Sequence, residues 1–289
     1  MRIPMRSKLA GLAFLMLLTL TSSCEQFGKL TVVDNVPKSL KEVSGITTVP
    51  GSKLLWMVND QGNEPILYGW EPNGKIKRKL TVRGATKKSD FETLSSNSEF
   101  LFIGDTGNND QNRRNLKILR VPLEDLTGDE ERTVTNTSAI AYKFEDQDEF
   151  PADKKKSFNV EAMTVIGNCI YLFTKEQGKA FEGLTRVYTL QNEPGTQVAT
   201  YSHSIPTCDD EDDCFITGAT VTPQGDVILL AHNKYFLVRD FEDLRNSSVT
   251  KHKLDHSSQK EGVTYENGRL LITDERKKKS GGKLYALNL

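Results

Sequence analysis

Residues 90–110, DFETLSSNSEFLFIGDTGNND, decide the fold. The stretch begins on two acids, Asp90 and Glu92, and passes through a short strand and a turn. It then enters an apolar strand, residues 100–103, that ends on Asp105 before a Gly/Asn loop. In an antiparallel hairpin the start of the first strand lies beside the end of the second, so Glu92 and Asp105 are expected at one end of one hairpin. The same unit recurs at intervals of about 45 residues. Residues 44–47 (SGIT) lead to LLWMVND, ending at Asp60, and residues 160–164 (VEAMT) lead to CIYLFTKE, ending at Glu176. Residues 216–220 (ITGAT) lead to VILLAHN with its His232, and residues 261–264 (EGVT) lead to RLLITDE with its Asp274. A third apolar-aromatic strand follows each hairpin: PILYGW, NLKILRV, TRVYTL, KYFLVRD and KLYALNL. A fourth follows most of them, such as KIKRKLTVRG and SAIAYKF.

Units of four short strands at this spacing indicate an all-β chain folded as a β-propeller of about five blades. A β-sandwich is the alternative, and five matching units speak against it. The last repeat stops after its third strand at Leu289, while residues 27–33 (FGKLTVV) form a strand with no blade of their own. That early strand is expected to complete the last blade and close the ring, hiding the edges of an open array. Residues 126–158 are long and polar, with room for a sixth, degenerate blade.

The chain has 289 residues and a formal net charge of −1, enough length for one large β domain and no charge basis for nucleic-acid binding. Residues 1–23 read as a signal peptide: Arg2, Arg6 and Lys8 precede an apolar run and then small residues. The tetrapeptide ending at Cys24 resembles a bacterial lipobox, which would make Cys24 the lipid-bearing N-terminus. An ordinary cleavage near Ser23 is the alternative. A diacylglyceryl group plus an acyl chain suffices for stable anchoring. Residues 24–41 are then a lipidated tether and closing strand, and residues 42–289 the propeller domain. The expected location is the cell envelope, at the outer membrane or in the periplasm, with the membrane as partner through the anchor. In an exported chain Cys208 and Cys214, enclosing five acids, are expected to pair as a disulfide worth about 2 kcal/mol. Zinc is the rival reading, without further paired ligands nearby. Cys169 is expected to be buried and unpaired.

Superposing the repeats sets Glu92, Glu161 and Glu261 at first-strand starts and Asp60, Asp105, Glu176 and Asp274 near second-strand ends, joined by Lys175 and His232. These carboxylates are expected to ring one axial mouth. Two such charges about 6 Å apart repel by roughly 3 kcal/mol at an effective dielectric of 20. A bound cation, a lysine, a raised pKa or separation relieves this. A purely structural role, holding neighbouring blades, is the competing reading for the three glutamates. The loop from Asp105 through Asn108 to Asp110 crowds oxygen ligands around a glycine, as a hard-cation loop does, or as an Asx-rich turn does. No Ser-His-Asp order, HExxH, Walker or Rossmann loop is present.

These pieces resemble a family of bacterial exported propellers related to the SdiA-regulated and phytase-like groups. The matching segments are SGI with WMVNDQGN, DFETL with FIGDTGNN and RRNLKILRVPLE, VEAMT with YLFTKE, ITGATVTPQGD, and EGVTY with LLITDE, in order over residues 42–289. Similarity to β-propeller phytases would imply calcium and phosphoester hydrolysis, although no basic phosphate cradle stands beside the acids. Similarity to gluconolactonase-type propellers would imply one divalent metal at the mouth, held by a set such as Glu92, Asn108, Glu161 and Asp274. The expected function is a lipid-anchored binding protein whose acidic mouth takes calcium or another divalent cation, with a small-molecule or protein ligand. A metal-dependent hydrolase of an ester, lactone or phosphoester is the alternative.

Overall fold

A computed structural model describes residues 25–128, 132–152, 156–176, 182–207, 215–278 and 280–289. Cys24, Cys208 and Cys214 lie outside the described residues, so the expected lipidation and disulfide do too. The strands are β1 (Gln26–Phe27), β2 (Leu30–Asn35), β3 (Val43–Thr47), β4 (Leu55–Asn59), β5 (Ile66–Trp70), β6 (Ile76–Thr81), β7 (Phe91–Ser96), β8 (Phe100–Asp105), β9 (Lys117–Pro122), β10 (Arg132–Val134) and β11 (Ser138–Phe144). They continue as β12 (Val160–Ile166), β13 (Cys169–Thr174), β14 (Leu184–Gln191), β15 (Gly195–Pro206), β16 (Gly218–Val221), β17 (Val227–Leu230), β18 (Lys234–Arg239), β19 (Ser248–Lys253), β20 (Lys260–Glu266), β21 (Arg269–Asp274) and β22 (Lys283–Asn288).

Among the described residues they form five blades. The inner strands β3, β7, β12, β16 and β20 adjoin one another in that order, and β20 returns to β3, so the ring is closed. Each blade then meanders outward in antiparallel hairpins. Inner and second strands are buried on both faces because each sheet is covered on either side by a neighbouring blade; β8 and β4 are examples. Outer strands meet solvent on one face, and SAIAYKF in β11 alternates accordingly. The apolar core is five clusters, one at each seam. Trp56 and Leu94 share the seam of blades one and two, and Phe102 and Met163 that of two and three. Ala162 and Phe236 share the next, Ile228 and Val263 the fourth, and Leu271 and Met57 the last.

The closing strand is present, shifted slightly from its expected place: β2 pairs antiparallel with β22 and buries Leu30 completely. Gln26 and Phe27 fold back on β2 as a fifth strand. The turn between them needs Gly28, at φ +60, because a Cβ there would lie 2.3 Å from the Asp255 carbonyl oxygen. The segment with room for a sixth blade makes none among the described residues. Instead, β10 adds in parallel to β6 of blade one, and β11 is the fourth strand of blade two. The outermost strands of blades two and three, β11 and β15, also pair in parallel, joining the two blades into one eight-stranded sheet. Cys169 is unpaired as expected, but half-buried rather than buried, because it opens β13 at the rim.

Candidate functional site: an acidic axial mouth

Four of the five inner strands begin with a bulge. The pairing register skips one residue at Val43/Gly45, Phe91/Thr93, Val160/Ala162 and Lys260/Gly262. The skipped residues are Ser44, Glu92, Glu161 and Glu261. A bulge sets two residues against one partner and re-aims the extra side chain. In blade four the pairing is regular, and Thr217 holds the matching position. The hydroxyl members of this ring hold blades together: Ser44 Oγ donates to the Phe91 carbonyl, and Thr217 Oγ1 donates to the Lys260 carbonyl at 2.6 Å. Thr106 Oγ1 does the same to the Val160 carbonyl at 2.7 Å. Each accepting carbonyl precedes a bulged glutamate. In these contacts the link between blades runs through hydroxyls that bond the backbone just ahead of each glutamate.

One residue past each second strand, the chain turns back to the mouth. The amides of Asp60, Thr106, Lys175 and Glu275 donate to the carbonyls of Glu42, Asp90, Asn159 and Gln259, each two residues ahead of a bulge residue. His232 holds the same place in blade four. Asp105 and Asp274 fall one residue earlier, and their side chains point away from the axis, since neighbours in a strand face opposite ways. Asp105 Oδ1 accepts from Arg113 Nη2 at 2.7 Å and from the Asp90 amide at 2.9 Å. Asp274 accepts from the Lys283 amide at 2.8 Å and the Tyr285 hydroxyl at 2.9 Å. Asp274 thereby fixes the start of β22, and Asp105 ties the loop before β9 to the residue that leads into β7. Asn108 straps blade two to blade three, accepting from the Arg113 amide and donating to the Phe158 carbonyl. Glu176 closes its own hairpin by accepting from the amides of Glu182 and Leu184. Of the expected metal ligands Glu92, Asp105, Asn108, Glu161 and Asp274, Glu92 and Glu161 stand on the axis, and all but Glu92 have protein partners, Glu161 through Lys175 and Asn159.

The tightest cluster is Asp60, Asp90 and Glu92, whose nearest oxygens all lie within 4.8 Å of one another. Asp90 was overlooked as a ligand, although the D-F-E spacing sets it and Glu92 on one face. Glu92 is 7 % exposed, and among the described residues no hydrogen bond reaches its carboxylate. Asp90 Oδ1 is buried without a partner. Burial pushes Glu92 well above the usual carboxylate range, and the charges of Glu161, Asp60, Asp90 and Glu261 push it further. Asp90 is pushed up to about 7 by burial and by Asp60, with Arg113 opposing. Gly107 makes this crowding sterically feasible: a Cβ there would fall 2.3 Å from both Asp90 Oδ2 and Glu92 Oε1.

Across the mouth, Lys175 Nζ binds both oxygens of Glu161 at 2.8 and 2.7 Å, and Asn159 Nδ2 adds a third donor at 2.9 Å. Burial pushes Glu261 up to about 8, reinforced by Glu161 and opposed by Lys175. His232 Nε2 is buried without a partner, 3.9 Å from Glu261 Oε1, and burial with nearby lysines lowers that imidazole to about 4. Among the described residues no ion pair joins Asp60, Asp90 or Glu92 to a cation: Arg113, whose charge opposes the Asp90 shift, is bound to Asp105. A cavity of about 500 Å³ opens at the opposite rim, between blades one and two, beside Val49, Leu54 and Arg78. Arg78 there donates to the carbonyls of Leu126 and Asp125.

No protein-family model matches the chain, and no curated relative matches it by sequence. Among solved structures it is similar to a gluconolactonase from Xanthomonas campestris (10 % identity, 90 % of this chain and 89 % of that one, TM-score 0.48). It is similar to a glucose dehydrogenase (9 % identity, 89 % and 99 %, TM-score 0.49) and to the WD40 propeller domain of Doa1 (11 %, 90 % and 97 %, TM-score 0.44). At these values the likeness is one of general form, and no property of those proteins is carried over.

Proposed function

We propose that the protein binds a divalent cation, calcium first, on its propeller axis through Asp60, Asp90 and Glu92, as a cell-envelope binding protein tethered through Cys24. The observation that carries this is Glu92: a buried carboxylate that no donor reaches among the described residues, beside two further carboxylates at ligand spacing. A buried charge persists only if paired, so the group holds either a proton or a cation. An all-oxygen donor set suits a hard cation, and calcium takes six to eight such ligands. Three carboxylates leave positions for water or for an oxygen of a bound ligand, whether small molecule or protein. The test is thermal unfolding of the full chain after chelation and after adding back calcium, magnesium or manganese. Saturable stabilisation is expected, about 2.7 kcal/mol at a concentration one hundred times Kd. No shift with any ion, or an undiminished shift in Glu92→Gln, would refute the site. Fatty-acid labelling that survives Cys24→Ser would refute the tether.

A second reading, hydrolysis of an ester, lactone or phosphoester, draws on Asp90. A bound cation would polarise a carbonyl or phosphoryl oxygen. Asp90 Oδ1, buried without a partner beside that position, is placed to take a proton from an attacking water. A hydrolase screen with calcium, comparing the wild type with Asp90→Asn, separates the readings: binding alone predicts no turnover in either.

A further inference from the structure

We propose that Arg113 is the positioning residue of the axial cation site: its guanidinium fork fastens the loop of residues 105–108 against which Asp90 and Glu92 are seated. This rests on the reading of Asp60, Asp90 and Glu92 as that site. Arg113 Nη1 donates to the Gly107 carbonyl at 2.7 Å, and Nη2 donates to Asp105 Oδ1 at 2.7 Å. The Arg113 amide donates to Asn108 Oδ1 at 2.9 Å, so one residue grips the loop at three points. Nε donates to Asn115 Oδ1 at 3.2 Å, which fixes the plane of the fork. The side chain is largely buried.

The gripped residues are the ones that touch Asp90. Asp105 Oδ1 accepts from the Asp90 amide at 2.9 Å, and the amides of Thr106 and Gly107 donate to the Asp90 carbonyl at 3.0 and 3.3 Å. Gly107 also meets the side chains, since a Cβ on it would fall 2.3 Å from Asp90 Oδ2 and from Glu92 Oε1. A shift of this loop therefore moves the Asp90 backbone and opens the wall behind both carboxylates. Carboxylates that repel one another stay at ligand spacing only if their surroundings hold them there. Loss of an outer hydrogen-bond partner of metal ligands typically costs about 10–100-fold in affinity. The role calls for the shape of the fork: two nitrogens of one planar group meet acceptors on residues 105 and 107, whereas lysine offers one nitrogen on a flexible stem. Charge works in the opposite direction. The Arg113 charge bears on Asp90, and a positive group there repels an incoming cation.

The experiment is a calcium titration of the chelated full chain by calorimetry, in the wild type, Arg113→Lys and Arg113→Met, with folding checked by circular dichroism. In the methionine variant Lys117 Nζ still stands 3.7 Å from Asp105 Oδ2, so that carboxylate keeps a cation. Arg113→Gln replaces the methionine variant if that variant does not fold. Leu30→Ala, weakened in the closing strand, is the control for lost stability alone. The Kd for calcium should rise about 10-fold or more in both Arg113 variants and stay at the wild-type value in Leu30→Ala. A wild-type or lower Kd in either Arg113 variant would overturn the proposal and leave the cation site standing; a lower Kd in Arg113→Met alone would reduce the part of Arg113 to its charge. A Kd raised as much in Leu30→Ala would also overturn it, because affinity would then follow stability and not position. No calcium binding by the wild type would overturn the site, and the role of Arg113 with it.

Discussion

Replacing Glu261 by glutamine should change the sign of its effect on stability across the pH range. The folded protein holds this proton up to about pH 8, whereas the ordinary value is 4.5, because the carboxyl is buried beside Glu161. A carboxylate raised in the folded state contributes no penalty below pH 4.5. Above that, the unfolded chain releases the proton while the folded one keeps it, and stability falls until about pH 8. At about 1.36 kcal/mol per pH unit, the fall totals about 5 kcal/mol. Glutamine is neutral throughout and removes this slope, but its amide needs a new acceptor, a cost of about 1–2 kcal/mol. With chelator present, Glu261→Gln should therefore be about 3 kcal/mol more stable than the wild type at pH 8.5 and about 1 kcal/mol less stable at pH 4.5. Urea unfolding at four pH values between these limits measures both numbers. A difference that does not change with pH, or a variant that is less stable at pH 8.5, would refute the assignment of Glu261 as a buried acid held neutral by its surroundings.

Other variants probe the remaining parts of the site and ring. Gly107→Ala inserts a Cβ 2.3 Å from Asp90 Oδ2 and Glu92 Oε1, so calcium stabilisation should disappear in thermal unfolding; a full response would mean the carboxylates are not packed on that glycine. Tyr285→Phe removes the hydroxyl bound to the buried Asp274 and should cost about 1–3 kcal/mol while leaving the calcium response intact. A lost calcium response there would return Asp274 to the ligand set. Leu30→Ala, at the fully buried start of the closing strand, should cost about 2–5 kcal/mol by denaturant titration, and a loss under about 1 kcal/mol would mean that β2 does not seal the ring.

Much of the architecture was legible because a blade is written in local terms. LLWMVN, FLFIGD, CIYLFT and RLLITD all became second strands, and each third strand fell where its aromatic run lies. The acids were harder to place. The bulges before Gly45, Thr93, Ala162 and Gly262 have no signature in residue type, yet each moves the facing of a side chain by one position. Asp105 and Asp274 were therefore matched with Asp60, whereas Asp60 corresponds to Thr106 and Glu275. The same slip hid Asp90, whose place is defined only by the amides that return to its carbonyl. Bulge geometry and the closeness of distant blades are three-dimensional facts, and repeat alignment supplies them only to within a residue.

The strands added at the rim give the ring an uneven resistance to opening. β10 leaves blade two to pair with blade one, and β11 pairs with β15, so blades one to three are stitched by backbone hydrogen bonds along their outer edges as well as packed at their seams. Among the described residues, β19 of blade four has only its own blade to pair with. Sub-global unfolding should therefore divide the ring into a slow sector and a fast one. In native-state hydrogen exchange, amides of β11 and β15 should exchange late and together, while those of β18 and β19 exchange first. Motion of the mouth would then enter through blade four, on the side of His232, while the Asp60–Asp90–Glu92 wall stays anchored in the slow sector.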